Sequence, residues 1–365
     1  MKVALVPDWL TVDGGAEKVL RAILEIYPQA DIFTLVDTLS DKDRETILMG
    51  KTSTTSFLQN LPFAKKSFRN YLPLFPKAIE SLDLQGYDLI ISSSWAVAKG
   101  VKNSKQQLHI CYCQTPIRYA WDMYDEYTKD LPVIKKQLVQ MSLKYIKRWD
   151  IETLDRVDYF IGNSTFIKQR ILDNYKKDAV VIHPPVDTDS YTLCEEKEDF
   201  YVTASRLVPY KKTKLIVEAF NQSGKKLVVI GAGDELEMIK KIAKPNIEVL
   251  GFVEKDIMIG YMQRAKAFVY AALEDFGIVP IEALSCGTPV IAFGEGGVLD
   301  SVRHKEHGYL FYEQSAEAIV KAVDAFEGLQ FDYKYISNYA KMFSKERFQD
   351  EFKSFVNQCI KERDV

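Results

Sequence analysis

The sequence predicts an α/β protein of two domains, each built on a parallel sheet covered by helices. Short apolar runs rich in β-branched and aromatic residues alternate with amphipathic segments along the chain, a pattern typical of βαβ units. The 365 residues suggest two domains at roughly 150 residues per domain. Because 47% of the residues are hydrophobic, the core can be large enough to need no disulfide or metal.

The N-terminal half opens with a predicted strand, Val3–Val6, followed by an amphipathic helix over Ala16–Ile26 with its apolar residues on one face. A long helical region is predicted over Leu131–Asp155, where Pro132 is well placed near the start. Four more buried strands are predicted in this half: Ile32–Val36, Leu89–Ile91, His109–Tyr112 and Tyr159–Ile161.

The C-terminal half repeats the alternation more clearly. Helical spacing of apolar residues occurs over Lys214–Phe220 and Glu235–Ala243. The apolar runs between such segments are too short for helices. They predict strands at Phe200–Ala204, Leu227–Ile230, Ile247–Val249, Ala267–Ala271, Val290–Phe293 and Tyr309–Phe311.

The predicted domain boundary lies between Val186 and Asp199, where a polar turn is followed by the charge run Glu195–Asp199. A new βα series starts at Phe200, which favours an interdomain linker over a surface loop within one domain. The predicted domains are residues 1–190 and 191–340.

Charge and cysteine content exclude several classes of protein. A net charge of −3 argues against a nucleic-acid-binding protein, which normally carries a basic excess. The five cysteines are widely spaced and fit no metal-ligand pattern, so we expect reduced thiols in a cytoplasmic protein. The N-terminus does not resemble a signal peptide, and no run approaches the roughly 18 apolar residues of a membrane span. Asp187-Thr188-Asp189 resembles a metal-binding motif but lies in the predicted linker, so no metal site is predicted.

Glycines at the end of the first strand form a weak anion-binding signal. Gly14 and Gly15 precede the first helix, where backbone N–H groups could approach an anion, although an ordinary βα turn is the simpler interpretation. The full GxGxxG fingerprint is absent from this turn, which argues against an NAD site there.

Two cations follow the first strand of the second half. Arg206 and Lys211 occupy the loop after Phe200–Ala204, and ligands of open α/β sheets bind at the carboxyl ends of strands. Two such cations can neutralise the charge that develops on a diphosphate leaving group. The alternative is a solvated basic loop.

The segment from Glu274 to Glu282 is the most informative. It follows the apolar run Ala267–Ala271, and Gly277 is a plausible junction between a loop and a helix over Ile278–Leu284. We expect Glu274 in the loop and Glu282 on the first helical turns. A ligand across that helix N-terminus could meet both carboxylates and place phosphates on the free N–H groups.

Taken together and in their order along the chain, these motifs resemble those of glycosyltransferase family 4, whose members are retaining enzymes of GT-B fold. The resemblance covers essentially the whole chain. It implies an α/β architecture of two Rossmann-like domains with parallel sheets facing a central cleft, and a C-terminal helix at 341–365 returning to the N-terminal domain. The matching segments are Asn163-Ser164, His183–Asp187, Ser205–Lys211, Gly251–Val253, Glu274–Glu282 and Gly287–Ala292.

The resemblance implies roles for individual residues. Arg206 and Lys211 should bind the donor diphosphate, with Gly14 and Gly15 facing it from the opposite domain, and Glu274 should contact the transferred sugar. These roles make Glu274, Arg206 and Lys211 the catalytic candidates. The remaining donor-binding candidates are Glu282 at the ribose, Val253 at the base, and the backbone N–H groups of Phe276, Gly277 and Ile278.

One position departs from the family pattern. Many members carry histidine where this sequence has Gln114. Gln114 is a further donor-binding candidate, because glutamine can hydrogen-bond a sugar hydroxyl, but it cannot act as a general base. This is compatible with front-face attack, in which the leaving phosphate accepts the proton of the acceptor hydroxyl.

Within the family, Cys111–Asp122 resembles the bacterial mannosyltransferases of O-antigen and exopolysaccharide assembly. That likeness implies GDP-mannose as donor, a polyprenyl-diphosphate-linked glycan as acceptor and no metal cofactor. Leu61–Lys77 carries basic and aromatic residues without acids, which suits an anionic membrane surface on the cytoplasmic side. A solvated helix that packs its aromatic residues inward explains that composition equally well.

Two other functions remain open at this point. A nucleotide-sugar epimerase can share the two-domain architecture and would need no acceptor. A non-catalytic subunit of the same fold would bind a membrane without turnover, although the retention of Glu274 and Glu282 disfavours it.

Overall fold

The structure of the protein, a computed structural model, describes residues 1–12, 14–121 and 133–363 and divides into two compact units. The first unit comprises Met1–Pro185 together with the chain from Phe348 onward, and the second comprises Val186–Arg347. Each unit has its own parallel sheet flanked by helices, which confirms the predicted α/β architecture of two Rossmann-like domains.

Within the described residues, the sheet of the first unit has seven parallel strands in the order β3-β2-β1-β4-β5-β6-β7. The central strands β1, β4 and β5 are buried along their whole length, because helices cover both faces of a parallel sheet. The strands are β1 Val3–Pro7, β2 Asp31–Thr34, β3 Ser53–Thr55, β4 Leu89–Ser94, β5 Leu108–Cys113, β6 Tyr159–Gly162 and β7 Ala179–Val181.

Helices of the first unit include the predicted amphipathic helix, which covers Gly15–Ile26 and buries Val19, Leu20 and Ile23 against the sheet. The long predicted helix is described over Val133–Glu152; its expected start at Leu131 and Pro132 lies outside the described residues. The other helices are Asp41–Leu48, Ala64–Ser67, Phe75–Ile79, Arg118–Trp121, Thr165–Tyr175 and Lys345–Arg363.

The second sheet has six described parallel strands in the order β10-β9-β8-β11-β12-β13, so β8 and β11 are central neighbours. Its strands are β8 Tyr201–Ala204, β9 Leu227–Ile230, β10 Ile247–Gly251, β11 Ala267–Tyr270, β12 Val290–Phe293 and β13 Gly308–Phe311. Its helices are Thr213–Ser223, Leu236–Ile242, Lys255–Arg264, Ile278–Ser285, Ala316–Glu327 and Tyr333–Ala340.

The predicted linker packs as part of the second unit, which therefore begins at Val186, before the expected boundary at residue 190. The N–H of Val186 donates to the carbonyl of Phe343 over 2.9 Å. The charge run is ion-paired within the same unit, with Glu198 bound to Arg264 at 2.7 Å. These contacts hold the segment against the second unit, although its polar composition alone predicts an interdomain linker.

The last helix belongs to both units. It begins at Lys345, and from Phe348 onward it packs with the first unit. Phe348 and Phe352 are fully buried and lie against Tyr112 of β5, with ring centroids 5.9 Å and 6.5 Å away. In the part of the chain that the structure describes, no helix combines the length and apolar character needed to span a bilayer.

Candidate active site

The predicted site of the second unit lies on loops that follow its two central strands. The loop after β8 ends in a turn of 3-10 helix at Pro209–Lys211, and Glu274 lies four residues beyond β11. Because β8 and β11 are parallel neighbours, both loops leave the same edge of the sheet. This edge is where open α/β sheets bind ligands.

Lys211 and Glu274 form an ion pair that brings these two loops together. The Lys211 ammonium contacts Oε1 of Glu274, and the hydroxyl of Tyr270 donates to Oε2. Burial, together with the negative charge of Glu274, holds the pKa of Tyr270 well above its usual range. The Lys211 and Glu274 side chains are 14% and 21% exposed, so a ligand can reach the pair.

Arg206 lies on the same loop but extends toward solvent. Its side chain is exposed, and its Nη2 donates to the hydroxyl of Tyr210 over 2.8 Å. Two cations therefore leave one short loop, one paired with a carboxylate and one accessible. This arrangement can bind an anion carrying several negative charges.

The helix Ile278–Ser285 begins directly after this pair of loops. Gly277 precedes it with φ of +91° and provides no side-chain cap, so the first N–H groups of the helix have no capping side chain. A Cβ added at Gly277 would lie 3.0 Å from the hydroxyl of Tyr270. Glycine is thus needed both for the backbone conformation and for space beside Tyr270, and Phe276 and Ile278 flank it as predicted.

The glycine-rich loop after β12 supports the Glu274 loop. Gly297 donates its N–H to the carbonyl of Glu274 over 2.9 Å. A Cβ at Gly297 would lie 2.2 Å from the carbonyl oxygen of Asp275. The glycine therefore permits a close backbone contact that orients Glu274.

Glu282 lies on the second turn of the same helix and is only 4% exposed. It makes a side-chain hydrogen bond with Tyr191, whose pKa is raised by burial and by the charge of Glu282. Sequence reasoning placed Glu282 correctly on the helix but missed Tyr191, which lies in the segment interpreted as a linker. The bond fixes the direction of the carboxylate.

Val253 follows the end of β10 by two residues and packs, partly buried, against the core of the second unit. Its neighbour Phe252 is 74% exposed. The Val253 backbone therefore lies at the same carboxyl edge as the Glu274 loop, and its role in base recognition stays a prediction.

In the first unit, Gly14 is the residue before the helix Gly15–Ile26, without a side-chain cap. Its φ of −153° is an extended conformation that any residue adopts. The conformation of Gly14 therefore does not by itself require glycine. The helix N-terminus formed by Gly14 and Gly15 lies at the carboxyl end of β1.

Gln114 directly follows β5 and has its amide oriented by two neighbours. Its Nε2 donates to Oγ of Ser93 over 3.3 Å, and Nδ2 of Asn163 donates to its Oε1 over 3.4 Å as well as to its backbone carbonyl over 2.9 Å. Both neighbours are buried at the ends of adjacent strands. Gln114 thus has a defined orientation at the carboxyl edge of the first sheet.

Asp8 is a structural anchor that sequence reasoning missed. Its carboxylate is fully buried and accepts the backbone N–H groups of Trp95, Ala96, Val97 and Ala98 at 2.5–2.9 Å. Burial raises the pKa of Asp8 to about 6, against the lowering effect of these four donors. An acid directly after a central buried strand was the signal that could have indicated it.

Within the described residues, no group of three or more His, Cys, Asp or Glu side chains is placed to hold a metal ion. Asp187 of the Asp-x-Asp sequence instead contacts Lys255 at 2.5 Å and the hydroxyl of Ser190 at 2.7 Å. Those contacts account for its carboxylate without a metal, and they hold its pKa below the usual range against the effect of burial.

Family models match the chain in two adjacent segments. The model described as Glycosyltransferase Family 4 matches residues 13–190, and the model described as Glycosyl transferases group 1 matches residues 191–343. With two Rossmann-like units, these matches define the class of protein as a glycosyltransferase of GT-B fold. The chain belongs to glycosyltransferase family 4.

Relatives within this class differ in substrate. Over 357 residues the chain is 24% identical to alpha-1,3/1,6-mannosyltransferase ALG2 of Saccharomyces cerevisiae, covering 80% of this chain and 69% of the relative. It is also 28% identical over 195 residues to a probable sucrose-phosphate synthase of Thermosipho melanesiensis, covering 49% of this chain and 44% of that relative. For this relative and others, the chain spans less than half of the relative's length.

Solved structures share the fold. The Anabaena protein Alr3699/HepE in complex with UDP superposes with a TM-score of 0.71 at 17% identity, covering 98% of this chain and 100% of that one. At this identity the likeness demonstrates the fold alone.

Proposed function

We propose that the protein transfers a hexose from a nucleoside diphosphate sugar to a glycan acceptor with retention of anomeric configuration. One observation carries the proposal. The Lys211–Glu274–Tyr270 cluster lies beside the uncapped N-terminus of the helix Ile278–Ser285, on which the carboxylate of Glu282 is held. Cations and helix amides stabilise a diphosphate, while fixed carboxylates bind hydroxyl groups.

In this proposal, Arg206 and Lys211 stabilise the negative charge that develops on the leaving diphosphate. Glu274 exchanges its bond to Lys211 for a hydroxyl of the transferred sugar, and Glu282 binds the ribose. Gln114 cannot remove a proton, so the acceptor hydroxyl gives its proton to an oxygen of the leaving phosphate as the new glycosidic bond forms.

The proposed donor is GDP-mannose: the mannosyltransferase among the relatives supports mannose as the transferred sugar, and the resemblance of Cys111–Asp122 to bacterial mannosyltransferases supports GDP as the nucleotide. A thermal-shift series with GDP, UDP and ADP would test this, because a ligand that binds the native state raises its apparent stability. We expect the largest shift with GDP, and mass spectrometry should then detect hexose transfer from GDP-mannose to a polyprenyl-diphosphate-linked glycan. Because the proposed reaction uses no metal, we expect EDTA to leave turnover unchanged.

The absence of a nucleotide-induced shift would contradict the proposed function. A larger shift with UDP would overturn the choice of donor but leave the reaction class standing. Donor consumption without any acceptor product would favour an epimerase. The anomeric configuration of the product, read by NMR, tests retention independently.

We further propose that the first unit contacts an anionic membrane surface where a lipid-linked acceptor resides. Within the segment at residues 61–77, Phe68 and Phe75 are buried, whereas Phe63 is 82% exposed and lies beside the exposed Lys65 and Lys66. Such a pairing of apolar and cationic groups favours insertion at the interface of an anionic bilayer.

Co-sedimentation with vesicles of anionic and neutral phospholipid at low salt tests this contact. The double variant Lys65→Glu/Lys66→Glu should reduce binding at least about tenfold, because each cation near an anionic surface contributes to attraction. A matched control is Lys240→Glu/Lys241→Glu, two exposed neighbours on a helix of the second unit. The proposal would be refuted if wild-type protein did not co-sediment with anionic vesicles.

A further inference from the structure

The four tryptophans of the chain differ in how their indole N–H groups are used. Trp121 donates to Oδ2 of Asp150 and Trp149 donates to Oε1 of Glu80, both over 2.9 Å. Trp9 and Trp95 are partly buried, and in the described part of the chain neither indole N–H has a hydrogen-bond acceptor. Buried tryptophans normally pair their N–H, so this pair keeps two donors accessible beside apolar rings.

Both tryptophans lie at the centre of the carboxyl edge of the first sheet. Trp9 follows β1 by two residues and Trp95 directly follows β4, and these strands are parallel neighbours. Their ring centroids are 5.3 Å apart with an interplanar angle of 89°. This is the edge at which ligands of open α/β sheets bind.

Asp8 holds the two tryptophans in place. It precedes Trp9 in sequence, and its Oδ2 accepts the N–H of Trp95 over 2.6 Å and that of Ala96 over 2.9 Å. The ring of Trp9 is supported by Phe68 and Phe75 at centroid distances of 5.2 Å and 6.1 Å. The arrangement is preorganised, which reduces the ordering cost of binding.

The geometry favours a pyranose over a nucleobase. A flat base stacks best in a slot between parallel rings, whereas these rings are perpendicular. A pyranose presents a face of C–H groups, which carry partial positive charge and suit the negative face of an aromatic ring, and hydroxyls at its rim. The indole N–H groups can donate to those hydroxyls, and the polar Ser93 and Gln114 lie at the ends of β4 and β5.

We propose that Trp9 and Trp95, positioned by Asp8, bind a pyranose ring of the glycan acceptor. This inference rests on the proposed glycosyl transfer for the identity of the ligand as acceptor, but saccharide binding can be measured without turnover. Among the residues that the structure describes, Trp95 makes a single ring contact, with Trp9, so its substitution perturbs the fold less than that of Trp9.

The test titrates the whole protein with methyl α-D-mannopyranoside, methyl β-D-glucopyranoside and guanosine, followed by saturation-transfer NMR and tryptophan fluorescence. We expect at least one glycoside to bind in the millimolar range typical of weak contacts. Trp95→Ala should weaken it more than about tenfold, and Trp95→Phe, which keeps an aromatic ring but lacks the indole N–H, about three- to tenfold. The control Tyr145→Ala removes another exposed aromatic of the same unit.

Nucleotide binding separates this inference from the proposed function. If Trp9 and Trp95 bind the acceptor alone, the thermal shifts that GDP or UDP causes should be the same in Trp95→Ala as in wild type. Any of three results would overturn the inference. Wild-type protein could bind no glycoside, Trp95→Phe and Trp95→Ala could both leave glycoside binding intact, or guanosine could displace the glycoside. Saccharide binding without sugar transfer would instead refute only the proposed function.

Discussion

Replacing Lys211 by methionine separates the catalytic role of the Lys211–Glu274 pair from its structural role. Both side chains are less than a quarter exposed, so the pair lies between a surface and a buried ion pair. Removing the ammonium leaves Glu274 with Tyr270 as its remaining side-chain partner in the cluster. The expected cost is about 1–2 kcal/mol of unfolding free energy, a fall of about 2–8 °C in Tm for a unit of this size.

The effect on turnover should be larger and of different origin. Losing a cation that stabilises the leaving diphosphate should lower kcat/KM about ten- to a thousandfold, or about 1.4–4 kcal/mol of transition-state stabilisation. The assay measures initial rates of sugar transfer alongside thermal unfolding of the same preparations. Lys214→Met is the control, since Lys214 pairs with Glu218 at 3.6 Å in an exposed position, and its Tm and turnover should stay near wild type.

The double variant Lys211→Met/Glu274→Gln makes the test decisive. Removing both charges eliminates the unpaired carboxylate, while the substituted amide retains an oxygen that accepts from Tyr270, so much of the stability should return. Turnover should stay low. Recovery of turnover together with stability, or Lys211→Met activity within about twofold of wild type, would refute a role for Lys211 in the reaction.

Three further changes test other parts of the molecule. Glu282→Gln should weaken nucleotide binding about five- to tenfold by calorimetry, because a neutral acceptor binds hydroxyls less strongly than a carboxylate. Gly277→Ala should cost about 1–3 kcal/mol in denaturant unfolding, more than Gly224→Ala, where φ is also positive but the added Cβ meets no atom within 4 Å. Burial lowers the pKa of His109 from 6.5 to about 4, so the unfolded chain takes up this proton first, and the contribution of His109 to stability falls by about 3 kcal/mol as pH drops through that window. Because the raised pKa of Asp8 acts with the opposite sign in the same window, the measurement is the difference in unfolding free energy between wild type and His109→Gln, which should change by about that amount.

The sequence predicted the buried strands well because a parallel strand covered on both faces is apolar throughout, as in β1, β9 and β12. It missed β3 and β7, the edge strands of the first sheet, because three residues with exposed positions carry little hydrophobic pattern. Pairing with a neighbouring strand, and not local composition, makes these segments extended.

The site residues separate in the same way. Glu274, Gly277 and Glu282 were predictable because a glycine-punctuated apolar segment with two carboxylates has a distinctive spacing. Tyr270 and Tyr191 were not, because their roles depend on which carboxylate lies next to each hydroxyl in the folded chain. Such partners come from tertiary contacts, which a single sequence does not encode as a pattern.

Asp8 and Glu274 show why partner identity decides function. Each is an acid shortly after a central strand, and from sequence alone either could be catalytic. Asp8 is fully buried and accepts four backbone N–H groups, which cannot turn away without unfolding the loop. The partners of Glu274 are the rotatable side chains of Lys211 and Tyr270, and it is 21% exposed. A sugar hydroxyl or a phosphate can replace those partners at little cost to the fold, so Glu274 can enter a reaction cycle, whereas Asp8 can only position the groups that do.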